Sequence, residues 1–516
     1  MNLIAIDLGT AGVRALIIDS EGRQRGATEV EVATLTPSEG HAEQAPDSFW
    51  RATVQAVRSA LRGAGIPPDE IAAIGFSHQR GTFALADVHQ QPLTRFVLWM
   101  DQRGLPFLDL IQQRIPLVDY YSITGLPIYY VSSISKLLWF AHRTPELYHA
   151  ARYAWPISNF IMARMGIHEP PVDHATASFY GLLNTCTRQW SSQIADVLGL
   201  DGDRLPSLVP PGTVAGELSD PDAASELGLA VGTPVVIGGG DQQCAALGSG
   251  MIEARQALIN LGTATAVMVA VDGPVRDSSY VIPSVCHAVP GQWELEGHTQ
   301  ASGIVLRRFR DEFAASEVAV AKRLNRDIYE LLSEEVRLSP AGASGLLFLP
   351  TLNGSTAPIN YPYSSGVLVG LRVTHARADV IRAMMEGMCF ESRWILEHME
   401  MNGAAVDSVR FSGGGSRSPL WCQMHADILQ RPIARVGTSN AAAVGAAICA
   451  GMGIGLFRDA PAGALSLGRV AETYEPNPEV ASLYERLYDL FKETYAALQR
   501  AKVFEVLHSL KSDSPA

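Results

Sequence analysis

The densest chemistry in the chain lies in Gly238-Gly239-Gly240-Asp241-Gln242-Gln243. Three glycines remove every side chain that would hold a ligand away from the backbone. One carboxylate and two amides follow them directly. A lone carboxylate in such a place can take a proton from a hydroxyl or help to hold a cation. The apolar run Val231 to Ile237, opening with Gly232-Thr233-Pro234, reads as a buried strand, with the glycines as the turn after it. Ala245-Ala246-Leu247-Gly248-Ser249-Gly250 then reads as the start of a tightly packed helix. The carboxyl end of a buried strand is where an open α/β sheet binds ligand. A glycine-rich turn capped by Asp is the competing local reading.

A second cluster lies near the start. Asp7-Leu8-Gly9-Thr10 joins a strand, Leu3 to Asp7, to another, Val13 to Asp19, and Arg14 lies just beyond. Small residues for close approach, a hydroxyl, a carboxylate for Mg²⁺ and a guanidinium together suit phosphate and metal. A plain hairpin explains the same letters. Glu21-Gly22 supplies the next turn, and Gln24 to Leu35 can pair as a third strand.

The elements that must carry these clusters follow in order. A helix starts at Pro46-Asp47-Ser48, with Phe49 or Trp50, Val54, Val57 and Leu61 at helical spacing. The strand Ile71 to Ser77 ends in His78-Gln79-Arg80-Gly81, and the strand-like run Arg95 to Trp99 ends in Met100-Asp101-Gln102-Arg103. The stretch to about residue 200, including Ser135-Lys136-Leu137-Leu138-Trp139, reads as helical and peripheral. An internal repeat decides the architecture. Ala5-Ile6-Asp7-Leu8-Gly9-Thr10-Ala11 returns as Leu258-Ile259-Asn260-Leu261-Gly262-Thr263-Ala264. A helix from about Ala376 to His398 then leads to Val406 through Phe411-Ser412-Gly413-Gly414-Gly415, mirroring the first helix and the Phe76-Ser77 strand. A duplicated α/β unit with two Gly-Thr turns is the plan of the actin-like ATPase superfamily.

Composition removes other classes. At 516 residues, with 47% apolar and 18% charged residues, the chain is globular and suits more than one domain. A net charge of −13 leaves no basic field for nucleic acid. Six scattered cysteines without a C-x-x-C pair read as free thiols of a reducing compartment. The run Met1 to Asp7 meets an acid too early for a signal peptide. The longest apolar tract, Ala257 to Val271, is interrupted and too short for a bilayer. A cytoplasmic protein without membrane or nucleic-acid partners is expected.

From end to end the chain resembles the FGGY carbohydrate kinases, nearest in style to xylulokinases with some glycerol-kinase motifs. The matching pieces are Asp7-Leu8-Gly9-Thr10 with Arg14, Trp99-Met100-Asp101-Gln102-Arg103, Gly238 to Gln243, Leu261-Gly262-Thr263, Phe348-Leu349-Pro350, and Ser412 to Gln423. The resemblance implies a duplicated actin-like (ribonuclease H-like) fold with two domains flanking a deep cleft. A sugar-binding domain would cover residues 1–250 and a nucleotide-binding domain residues 251–516. It implies ATP-dependent phosphorylation of a sugar or polyol hydroxyl with Mg²⁺, and a homodimer is the assembly it allows. Neither a Walker loop nor the protein-kinase glycine loop is present, so phosphate must be held another way, which the two Gly-Thr turns can supply. By similarity, Asp241 is the general base, and Asp7 and Asp241 place the metal. Gln79, Arg80, Trp99, Asp101, Asp241 and Gln242 bind sugar. Gly9, Thr10, Arg14, Gly262, Thr263, Gly303, Gly414, Gly415 and Ser418 bind nucleotide, with Gln423 beside them.

Departures from the family pattern bear on substrate. Xylulokinases carry Met-His where this chain has Arg80-Gly81, and glycerol kinases carry Gln-Arg-Glu where it has Gln79-Arg80-Gly81. Ser355-Thr356-Ala357-Pro358 and Asn440 also differ from common members. A ketopentose such as xylulose is the expected substrate; glycerol, another polyol, an aldonate or an autoinducer are the alternatives within the family. Outside it stand a non-kinase actin-like ATPase and an inactive sugar-binding regulator. The first needs no Arg80, Asp101 and Asp241 grouping, and the second predicts loss of Asp7, Thr10, Thr263 or Asp241, all of which are present.

Overall fold

The computed structural model describes residues 1–438, 440–468 and 470–512. The chain divides into two compact units. The first comprises residues 1–254, 270–294 and 440–469, and the second 255–269, 295–439 and 470–516.

The first unit is built on a six-stranded sheet. Its strands are β1 (Asn2–Leu8), β2 (Gly12–Asp19), β3 (Gln24–Glu31), β4 (Ile71–His78), β5 (Val214–Glu217) and β6 (Pro234–Gly240), in the order β5-β6-β4-β1-β2-β3. Strand β1 is antiparallel to β2 and parallel to β4, and β6 runs parallel to β4. The near-continuous apolar letters of β1 and β4 follow from coverage on both faces of the sheet. Helix α1 (Pro46–Ala64) buries Phe49, Trp50, Val57 and Leu61, which confirms the spacing expected there. The third strand stops at Glu31 rather than Leu35, because Leu35 leaves the sheet to bridge Glu43.

Two expectations fail here. Helix α2 (Ser133–Arg143) is not peripheral: every residue from Ser133 to Leu138 is buried, Lys136 included. Gly238, Gly239 and Gly240 form the end of β6, not a turn, and helix α3 (Asp241–Gly248) begins at the next residue. The glycines answer to close approach rather than to bending. A Cβ on Gly238 would collide with the Phe76 carbonyl oxygen, and one on Gly240 with the stem of Arg80. Helix α3 packs on the helix Ala441–Gly453, where a Cβ on Gly445 would strike the Cys244 carbonyl.

The second unit repeats the plan. Its sheet contains β7 (Gln256–Leu261), β8 (Thr265–Val271), β9 (Trp293–His298), β10 (Ser408–Ser412), β11 (Ile433–Val436) and β12 (Val470–Tyr474), in the order β12-β11-β10-β7-β8-β9. Strand β7 is antiparallel to β8 and parallel to β10, as β1 is to β2 and β4. These six strands follow the order of the first sheet, and a seventh strand, Ser284–Cys286, lies beyond β9. Helix α4 (Gly303–Phe313), the long helix α5 (Arg377–Met401) and helix α6 (Pro419–Leu429) pack around it. No helix among the described residues is long and apolar enough to cross a membrane.

Candidate active site

In the first unit three parallel strands end side by side. Their register aligns Asp7, Ser77 and Gly239 in one row, and Leu8, His78 and Gly240 in the next. Asp241 therefore emerges one residue beyond the sheet, close to Asp7, Gln79 and Arg80.

Asp7 is half-buried and accepts a hydrogen bond from Ser77 Oγ at 3.0 Å. Its pKa is raised to about 6, chiefly by burial and then by the nearby Asp241 carboxylate; Ser77 and Arg14 pull it back. Arg14 faces Asp7 across the β1–β2 pair and also binds Glu29 at 2.7 Å. Two carboxylates kept this close require a positive charge nearby.

Arg80 supplies one. Its Nε lies 3.3 Å from Asp241 Oδ1, and its guanidinium carbon sits 3.9 Å from the centroid of the Phe179 ring. A salt bridge on one side and an aromatic face on the other fix the fork of donors. Asp241 also accepts from the Gln242 amide at 2.8 Å. Among the described residues Gln242 Oε1 is buried without a hydrogen-bond partner, an acceptor of the kind a hydroxyl satisfies.

Gln79 is placed differently from a surface amide. It is 1% exposed and belongs to a closed ring of hydrogen bonds. Trp99 Nε1 donates to Thr10 Oγ1 (3.0 Å), which donates to Gln79 Oε1 (3.0 Å). Thr82 Oγ1 donates to the same oxygen (3.2 Å) and accepts from the Trp99 amide (2.9 Å). Gln44 completes the assembly, accepting from Gln79 Nε2 and donating to the Thr10 carbonyl. The ring ties the first Gly-Thr turn to Trp99. Asp101 is wholly buried: Arg103 and the Ala42 amide use both of its oxygens. Its geometry ties Arg103 to the Ala42 segment.

In the second unit Asn260 and Ser412 occupy the places of Asp7 and Ser77, with Ser412 Oγ 3.3 Å from Asn260 Oδ1. The Gly262-Thr263 turn is exposed and receives helix α4: the amides of Gly303 and Ile304 donate to the Gly262 and Thr263 carbonyls at 2.9 and 3.2 Å. Gly303 is held so tightly there that a Cβ would strike the Gly262 carbonyl. Gly414 has open space where a side chain would stand, whereas one on Gly415 would meet Leu261. Ser418 caps helix α6 through the Trp421 amide and lies 3.3 Å from Ser333 Oγ. Gln423 donates instead to Asp427 and the Glu475 carbonyl, away from Gly414.

With this geometry in place, comparison with known proteins becomes specific. The model of the FGGY family of carbohydrate kinases, N-terminal domain, matches residues 2–248, and that of the C-terminal domain matches 257–454. The chain belongs to this family. An autoinducer-2 kinase from Salmonella choleraesuis (strain SC-B67) is 31% identical over 510 residues, 97% of this chain and 95% of the relative. A gluconokinase from Bacillus licheniformis is 29% identical over 503 residues, 96% of each chain. The solved xylulose kinase from Lactobacillus acidophilus, 24% identical, shares the fold at a TM-score of 0.87 over 96% of this chain and 98% of its own. The protein is thus a carbohydrate kinase, a phosphotransferase acting on a sugar hydroxyl, of the two-domain actin-like fold, and the family implies ATP as its donor.

Among the described residues no group of three or more His, Cys, Asp or Glu side chains could enclose a metal. Mg²⁺ does not need one, since it is usually held by one or two carboxylates together with substrate phosphates. Asp7, with its raised pKa, and Asp241 fit that requirement. Several positions around the site escape sequence reasoning: Gln44, Ser77, Thr82, Phe179 and Lys136. Of these, Lys136 alone carries a signal, a single cation inside the apolar run Ile134 to Phe140.

Proposed function

We propose that this carbohydrate kinase uses ATP to phosphorylate a ketopentose such as xylulose, or a closely related polyol, with Asp241 as general base. The observation that carries this reading is the Arg80–Asp241 pair at the end of β6, backed by the Phe179 ring. It sets a proton acceptor beside a rigid set of donors suited to neighbouring hydroxyls. Gln242 Oε1 adds an acceptor directly beside Asp241. Trp99, held by the ring through Thr10, Thr82 and Gln79, forms an apolar wall for the carbon skeleton.

In this reading the first unit binds sugar and the second carries most of the nucleotide contacts. The substrate hydroxyl donates to Asp241, which takes its proton as the oxygen–phosphorus bond forms. Arg80 holds the neighbouring hydroxyls and keeps the Asp241 carboxylate oriented. The turns at Gly9-Thr10 and Gly262-Thr263, the latter with Gly303 behind it, hold phosphate oxygens, and Arg14 adds positive charge. Gly414 and Gly415 lie against adenine and ribose, with Ser418 beside them. Mg²⁺, held by Asp7 and Asp241, would neutralise phosphate charge when bound. Six free cysteines, five of them buried, support a cytoplasmic home.

A second reading has its own support: the autoinducer-2 kinase likeness spans nearly the whole chain. A coupled ADP-release assay over pentuloses, polyols, hexuloses, aldonates and autoinducer-type substrates separates the two. The highest kcat/KM is expected on a ketopentose. A clear preference for an aldonate or an autoinducer would overturn the substrate assignment and leave the family intact.

A further inference from the structure

Lys136 is 0% exposed, on helix α2 of the first unit. A buried ammonium is costly unless all three of its donors are met. Here they meet three main-chain carbonyls: Val131 at 3.0 Å, Leu98 at 3.3 Å and Trp99 at 3.4 Å. Burial draws its pKa down to about 7, with Asp101 opposing and Arg103 adding to the shift. The oxygens that receive the ammonium all belong to the backbone, so its structural effect is to join backbone segments.

The joined segments are specific. Leu98 and Trp99 close the loop that presents the Trp99 indole, whose Nε1 enters the ring through Thr10. Val131 packs on Gly81, where φ is +63° and a Cβ would strike the Val131 carbonyl oxygen and approach Trp99 Cβ at 3.4 Å. Gly81 directly follows Arg80. One ammonium thus clamps the backbone behind Trp99 to the segment packed against Arg80-Gly81.

We infer that Lys136 is a positioning residue for sugar recognition, acting through Trp99 by pinning the Leu98, Trp99 and Val131 carbonyls to one point. The inference rests on the reading of Trp99 and Arg80 as the sugar side. Removing the ammonium frees the Trp99 loop from the Arg80-Gly81 segment, so the sugar side loses its shape while the second unit keeps its own hydrogen bonds. The cost falls on sugar KM.

The test is a double-mutant cycle on the full chain with Lys136→Met and Trp99→Phe, measuring sugar and nucleotide KM and kcat. The phenyl ring keeps an apolar wall but cannot donate to Thr10. Each single variant is expected to raise sugar KM about ten-fold with nucleotide KM within about two-fold. The double variant is expected to be no worse than the more severe single one, because both break one device. If Trp99→Phe raises sugar KM while Lys136→Met leaves it unchanged, or if the two effects multiply, the role of Lys136 is refuted and the sugar-side reading stands. If Trp99→Phe leaves sugar KM unchanged, the sugar-side reading fails and takes the inference with it. Should Lys136→Met not fold, Lys136→Gln, which keeps two donors, replaces it in the same cycle, and the same outcomes support or refute the role.

Discussion

Ser77 donates a hydrogen bond to Asp7 across two parallel strands, and Ser412 repeats that contact to Asn260 in the second unit. The duplicated frame thus keeps the hydrogen bond and changes the charge. An amide needs no cation; a half-buried carboxylate beside Asp241 does. This asymmetry favours the first unit for metal placement.

Converting Asp7 to the residue of the other half tests this assignment. A carboxyl whose folded pKa is about 6 against an ordinary 3.8 binds its proton more tightly in the native state. The contribution of Asp7 to stability is therefore greatest at low pH and falls as pH rises from about 4 to 6, with its penalty complete above that. Asp7→Asn should remove this slope and stabilise the protein near pH 7.5 by about 1–3 kcal/mol. The same change should lower kcat at least ten-fold at saturating Mg²⁺. Thermal melts across pH 4–8 check the first part and steady-state kinetics the second. A variant that is no more stable than wild type, or one with normal kcat, would refute the assignment.

Arg80 is expected to act in binding more than in chemistry. Losing the hydrogen bonds of a charged donor costs about 1.5–3 kcal/mol. Arg80→Ala should raise sugar KM ten- to a hundred-fold with nucleotide KM little changed. Arg80→Lys should recover only part of this, because a point charge cannot span the Phe179 face and Asp241 together. An Ala variant with unaltered sugar KM would remove Arg80 from the site.

Much of this site is legible in residue order, and the reasons are physical. An apolar run followed by glycines and Asp241 marks a strand end whatever the fold around it, and two Gly-Thr turns at corresponding places reveal the duplication. What the letters hide is direction. A polar residue at a strand end looks the same whether it faces a ligand or a neighbour; Gln79 and Asp101 are both buried and bonded within the protein. The distant partners that make them so, Gln44 for Gln79 and Ala42 for Asp101, are marked by no local pattern. The burial of Lys136 is hidden for the same reason, since carbonyls that satisfy an ammonium leave no mark on residue type. Residues 238–240 spell a turn and build a strand end because glycine's freedom and its smallness are indistinguishable in sequence.

The glycines of the second unit separate those two uses. Among the described residues Gly414 has nothing near the position of a Cβ, and it needs no positive φ. Gly414→Val should therefore fold with a melting temperature near wild type. If adenine lies against it, the added side chain should raise ATP KM about ten-fold or more with sugar KM unchanged. Equal ATP KM in a folded Gly414→Val protein would move the adenine elsewhere.

Asp241 is the proposed base, and Asp241→Asn isolates that role. The amide keeps Oδ1 as acceptor for the Gln242 N–H and for Arg80 Nε, so the start of helix α3 and the guanidinium keep their partners. What disappears is the capacity to take a proton from the sugar hydroxyl. General-base contributions are about 10²–10⁴-fold, and an interaction made only as the proton moves appears in kcat rather than in KM. The expected protein melts near wild type, binds nucleotide normally, and turns over roughly a hundred to ten thousand times more slowly. Loss of the negative charge should also ease the ionisation of Asp7, whose pKa Asp241 helps to raise. The stability slope between about pH 4 and 6 should accordingly become shallower in Asp241→Asn than in wild type. A well-folded variant with near-normal kcat would end the base assignment, and an unchanged slope would show that Asp7 and Asp241 do not share a field.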